Sequence, residues 1–278
     1  MSNNMGDHKL SLILFLMILL NSTSVMAHEF WLEPVDYQRE LQQDLAVNLK
    51  VGQNFKGEPQ IYNPSDFIKF QLTEFIDKAA TTHAIKSRLG DIPALRKKSE
   101  REGLKIVSYI SNANLLTYNK AEKFTAFLKN EGLDWVLAAH KKRKLPEKGF
   151  KEVFHRYAKT LIAVGRGRGE DIELGLPFEW VLEKNPYTDK DNLQARLLWE
   201  GKAFPNTTVT LFIRQQDTLI QKHLMTDKHG VVTIPTDQHG IFLLNAVHMI
   251  EASDDTEREI GAVWESLWAS TTFEITDK

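Results

Sequence analysis

The sequence contains no cysteine. That absence removes three kinds of chemistry at once: disulfide scaffolds, thiolate zinc centres and cysteine nucleophiles. A surplus of charge is also missing. Lys and Arg number 35 against 37 Asp and Glu, a formal −2, which gives no electrostatic ground for nucleic acid or an anionic membrane as a partner. No G-x-S-x-G or H-E-x-x-H signature occurs, and "GRGRGE" (Gly165–Glu170) has neither the G-x-G-x-x-G spacing nor a following helix, so it reads as a turn. Long apolar runs are scarce too. The one present, Leu10–Leu20, is too short to cross roughly 30 Å of hydrocarbon as a helix.

That run instead fits the apolar core of a secretory signal. Lys9 precedes it, Asn21–Ala27 is a short polar exit, and Val25-Met26-Ala27 sets small side chains where a signal peptidase requires them. Residues 1–27 are therefore expected to be removed after Ala27. The mature chain would begin at His28, periplasmic or secreted, with no membrane span after cleavage.

With 42% apolar residues the chain can bury a real core. "DLAVNLKVGQNF" and "SDFIKFQLTEF" alternate at the period of half-buried strands. The C-terminal third ("NLQARLLW", "TTVTLFIR", "GVVTIP", "GIFLLNAVHMI", "ESLWASTTFEI") is strand separated by turns. Between them, Phe124, Phe127 and Leu128, then Phe150, Val153, Phe154, Tyr157 and Leu161, fall at helical spacing. The expected fold is mainly β. An N-terminal β-sandwich over 28–185 would carry a helical insertion at about 120–160, and a transthyretin-like (carboxypeptidase regulatory-like) sandwich would occupy 192–278. His140, opening the basic run "HKKRK", is expected at a solvated helix end.

An N-terminal histidine offers two nitrogens from one residue, its α-amine and its imidazole. The amine, with a pKa near 8, deprotonates readily on metal binding. A second imidazole would complete a three-nitrogen histidine brace, a donor set suited to copper or nickel. Of the seven downstream histidines, His248 stands out. It interrupts the apolar strand "IFLLNAVHMI" on the face of Ala246 and Ile250, with Val247 and Met249 on the other. A titratable group there needs a partner. The metal reading assigns His28 and His248 as ligands, Met249 and Glu251 as remoter candidates, and Phe30 and Trp31 as a shield. Trp264, Ser266 and Trp268 share one strand face, read as core.

"AHEFWLEP", "EKFTAFLKNEGLDWVL", "RYAKTLIAVG", "LGLPFEWVLEKNPY", "GKAFPNTTVTLF" and "AVHM…WESLWASTTFEI" occur in order over nearly the whole mature chain. Together they resemble the family known as domain of unknown function 4198, whose members are similar to the periplasmic component of nickel/cobalt uptake systems. The resemblance implies a transition-metal role carried by His28 and His248. It leads to the expectation of a nickel, cobalt or copper carrier serving a membrane transporter or outer-membrane receptor, without catalysis. A copper-dependent oxidative enzyme and a metal-free structural module of the cell envelope are the rivals.

Overall fold

The computed structural model describes residues 28–76, 79–216 and 218–276. The expected signal segment, residues 1–27, lies outside the described residues. Strand takes up 53% of the described residues and helix 11%, so the protein is mainly β. Along the chain, β1 (Glu29–Pro34), β2 (Gln38–Arg39), β3 (Asp44–Gln53), β4 (Lys56–Gln60), β5 (Phe67–Ile76), β6 (Ala79–Ala84), β7 (Leu95–Lys98), β8 (Gly103–Ser111) and β9 (Asn114–Tyr118) precede helices α1 (Ala121–Asn130) and α2 (Asp134–Lys142). Then follow β10 (Phe150–Val164), β11 (Phe178–Leu182), β12 (Gln194–Trp199), β13 (Lys202–Ala203), β14 (Thr208–Gln215), β15 (Thr218–Met225), β16 (Val231–Thr233), β17 (Gly240–Glu251), α3 (Asp254–Ile260) and β18 (Ala262–Ile275).

The backbone of the molecule is a ten-stranded sheet in the order β15-β14-β17-β18-β10-β8-β5-β6, with β2 and β9 also pairing to β10. β10 joins β18 in parallel and β8 antiparallel. This one sheet draws strands from both expected halves, so the boundary at 185–192 does not separate two sheets. The expected insertion is also shorter than 120–160. Helix covers 121–142, whereas Phe150–Val164 is a central strand covered on both faces.

Each face of this sheet carries a second layer. On one face, β1, β3, β4 and β7 form a small sheet whose Phe30, Leu32, Leu45, Val47 and Leu49 pack on Phe70, Leu72, Val107, Ala158 and Ile162. Beside it, α1 and α2 press Phe127, Leu128 and Val136 onto Phe154, Val247, Met249, Trp264 and Trp268. On the other face, the sheet of β11, β12, β13 and β16 sets Phe178, Trp180, Leu197 and Val232 against Tyr157, Leu161, Leu211, Phe242 and Leu244. His140 is buried, against the expectation of a solvated helix end. Its Nδ1 accepts from Trp264 Nε1 at 3.0 Å, which leaves Nε2 to donate to the Pro146 carbonyl at 3.0 Å. No helix among the described residues is long and apolar enough to cross a membrane.

Candidate functional site

A cavity of about 310 Å³ opens where the start of β1, the β3–β4 turn and the C-terminal end of α1 meet over the ten-stranded sheet. Each wall has a local cause. β1 supplies Glu29 to it, and His28 lines it from the position just ahead of that strand. Arg156 on β10, its guanidinium over the rings of Phe30 and Phe154, donates from Nη2 to the His28 carbonyl at 3.2 Å, so the backbone at His28 is held in place.

The β3–β4 hairpin turns on two residues, Asn54 (φ 53°) and Phe55 (φ 55°), both left-handed. That conformation is costly for a bulky side chain. Burial of the Phe55 ring against Trp31 (5.3 Å), Phe212 (6.2 Å) and the Arg214 guanidinium (4.4 Å) offsets it. The turn aims the N–H groups of Asn54 and Phe55 at the Glu29 carboxylate and adds Gln53 and Asn54 to the cavity wall.

Helix α1 ends over the same cavity. Gly132, at φ 69°, lets the chain approach β14 so closely that a Cβ there would stand 2.1 Å from Thr208 Oγ1. This contact sets Phe127, Asn130 and Glu131 over the sheet. The floor comes from the sheet itself: Thr210 and Phe212 on β14, Gln221 and His223 on β15, and Trp268 on β18. Thr210 is paired across the ladder with His223 and Phe212 with Gln221, so all four project to one face. His223 lies 3.4 Å from Thr210 Oγ1 through Nδ1 and 3.5 Å from Gln221 Nε2 through Nε2, both at the weak end of hydrogen bonding.

The electrostatics favour a cation. Burial pushes the Glu29 carboxyl up to about 7 despite its two backbone donors, and Oε2 is buried without a hydrogen-bond partner. Burial, reinforced by the Glu29 charge, pushes Glu131 up to about 8. Two carboxyls that lose hydration without gaining a counter-charge are stabilised by any positive group that enters. Even so, among the described residues no three His, Asp or Glu side chains are gathered so as to hold a metal ion by themselves. A brace asks less of the side chains, needing two imidazoles and the α-amine of the chain start.

The structure does not bring His28 and His248 together. Register along β17 places Leu243, Val247 and Met249 on the face of Phe212 and Trp268, whereas His248 projects from the opposite face with Leu244 and Ala246. There it packs against Trp199 (4.5 Å), Phe204 (4.5 Å) and Phe178 (6.1 Å), and burial depresses its pKa to about 4. The ten-stranded sheet stands between it and the cavity. Met249 lies in the core beneath α1 and α2, and Glu251 pairs with Arg143 at 3.6 Å. Phe30 and Trp31 are core residues, and the rings facing the cavity are Phe127, Phe212 and Trp268.

His223, Glu29 and Glu131 are the residues that sequence reasoning passed over. The only signal for His223 is a polar stripe, Gln221 and His223, along an edge strand. Its place opposite Thr210 depends on a pairing that local pattern does not encode. No curated protein matches this chain. A family model does, over residues 25–250, a span that starts ahead of β1 and ends on β17. By that match the chain belongs to the family described as Domain of unknown function (DUF4198).

Proposed function

We propose that this protein captures a divalent transition metal, nickel, cobalt or copper, outside the cytoplasmic membrane. It would act as a carrier or accessory of metal uptake, without turnover. The cavity shared by His28 and His223, flanked by two carboxyls stripped of water, is the observation that carries this reading. With residues 1–27 removed, His28 would offer its amine and imidazole and His223 the second imidazole in place of His248. Glu29 and Glu131 would balance the charge of the ion. Nitrogen donors suit these metals above the hard cations.

Competition titrations against a chromophoric chelator, on protein beginning at His28, test the ligand set. Replacing His223 by Ala is expected to lower affinity about 100-fold, in the range seen when a metal site is disturbed, whereas His248→Ala leaves it unchanged. A wild-type affinity in the His223→Ala protein would sink the proposal.

A further inference from the structure

We infer that the ion occupies this cavity as a positively charged complex with a small amino-acid-class chelator, and not as a bare ion; this rests on reading the cavity as a metal site. The first ground is volume. An ion held by three protein nitrogens keeps about three waters, and at about 30 Å³ each these fill roughly 90 Å³. The cavity holds about 310 Å³, which lies in the range of small-molecule pockets.

The second ground is what lines the surplus space. Gln53, Asn54, Asn130 and Gln221, all carboxamide residues, are among those that line it. A hydrated cation presents mainly O–H donors outward, which suit the carboxamide oxygens, whereas the carboxamide NH₂ groups are matched by an acceptor on the ligand, such as a carboxylate or carbonyl oxygen. The Trp268 ring, stacked on Phe127 at 5.5 Å and 17°, adds a flat apolar wall for a carbon skeleton. The third ground is charge. A complex of net negative charge, such as a citrate complex, would meet Glu29 and Glu131 and no Lys or Arg among the described residues that line the cavity. One amino acid on a divalent ion, bound through its amine and carboxylate, leaves a net positive charge and spare acceptor lone pairs.

The test uses protein starting at His28, with Ni(II) alone, Ni(II) with one equivalent of radiolabelled L-histidine, and Ni(II) with citrate. Gel filtration then reads metal and label in the protein fraction. Retention of label near one equivalent, dependent on nickel, is expected, with at least tenfold tighter nickel binding than for the ion alone and loss of binding in citrate. Asn130→Leu and Gln53→Leu are expected to cut label retention about tenfold and leave affinity for Ni(II) alone unchanged. Nickel retained without label, with histidine acting only as a competitor, would overturn the chelate and leave the metal reading standing. Nickel retained in none of the three mixtures would remove both.

Discussion

At the scale of single residues, the two histidines and the two glutamates separate by what surrounds them. His248 has a buried Nε2 with no partner among aromatic rings. Its pKa lies below the usual 6.5, so its share of stability is present above about 6.5 and is lost as pH falls toward about 4. His248→Leu is expected to flatten that acid limb in denaturation curves between pH 4 and 7. A wild-type acid profile in the variant would contradict the assignment. Glu131 behaves in the opposite sense. Its folded pKa is raised, so its contribution is full below about 4.5 and is lost as pH rises through about 8. Without metal, Glu131→Gln should leave Tm unchanged at pH 5 and raise it by about 2–4 °C at pH 8, the response to roughly 1 kcal/mol in a chain of this size. Because an entering cation must displace these protons, uptake should release protons and tighten between pH 6 and 8. Proton release measured in weakly buffered titrations checks the sign.

At the scale of elements, the cavity depends on two close approaches. Gly132 lets α1 settle on β14, and Gly57 faces Gly52 across the β3–β4 hairpin, where a Cβ at Gly57 would stand 2.4 Å from the Val51 carbonyl. Gly132→Ala must take up a left-handed conformation and push against Thr208, which is expected to cost about 1–3 kcal/mol. It should also displace Glu131, so metal affinity falls along with stability. Urea denaturation and a metal titration on the same sample read both effects.

The elements also show how much the sequence makes legible. β3 alternates in and out over Asp44–Leu49, and β5 does so over Phe70–Leu72 before Thr73 and Glu74 are buried as well; these short periods identified both strands. Phe124, Phe127 and Leu128 marked the buried stripe of α1 correctly. β10 was misread because it lies mid-sheet beneath layers on both sides. Phe154 and Ala158 pack toward one layer and Tyr157 and Leu161 toward the other, so apolar residues fall at spacings of three and four without any helix. Of the proposed ligands, His28 was visible through its place after the signal motif. Alternation gave the face of His248 correctly, but it does not say which layer covers that face, and that is where the pairing with His28 failed.

At the scale of the whole molecule, a buried charge cluster ties β11 and the segment before it to the central sheet. Lys159 on β10 donates to Asp171 Oδ1 at 2.8 Å and Glu179 Oε1 at 3.2 Å, and to the carbonyls of Ile172 and Trp180. Asp171 and Glu179 in turn accept from the N–H groups of Leu182, Leu174 and Leu176. Lys159→Met would leave two carboxylates buried without their cation, a loss of about 3–5 kcal/mol. It should loosen the segment between β10 and β11, read as faster hydrogen exchange there. Since the ten-stranded sheet crosses both halves, calorimetry on the wild-type chain is expected to give one unfolding transition. Two resolved transitions would show that the halves are independent.

β18, the last described strand in chain order, lies between β17 and β10 in the middle of the sheet. A nascent polypeptide therefore cannot complete this sheet until the residues of β18 have been delivered. Until then the flanks of β10 and β17 present unpaired edges to solvent and to neighbouring chains. Premature stop codons ahead of β18 should thus yield aggregates, not shortened but native molecules. A chaperone that shields those edges would matter most in the moments before β18 arrives.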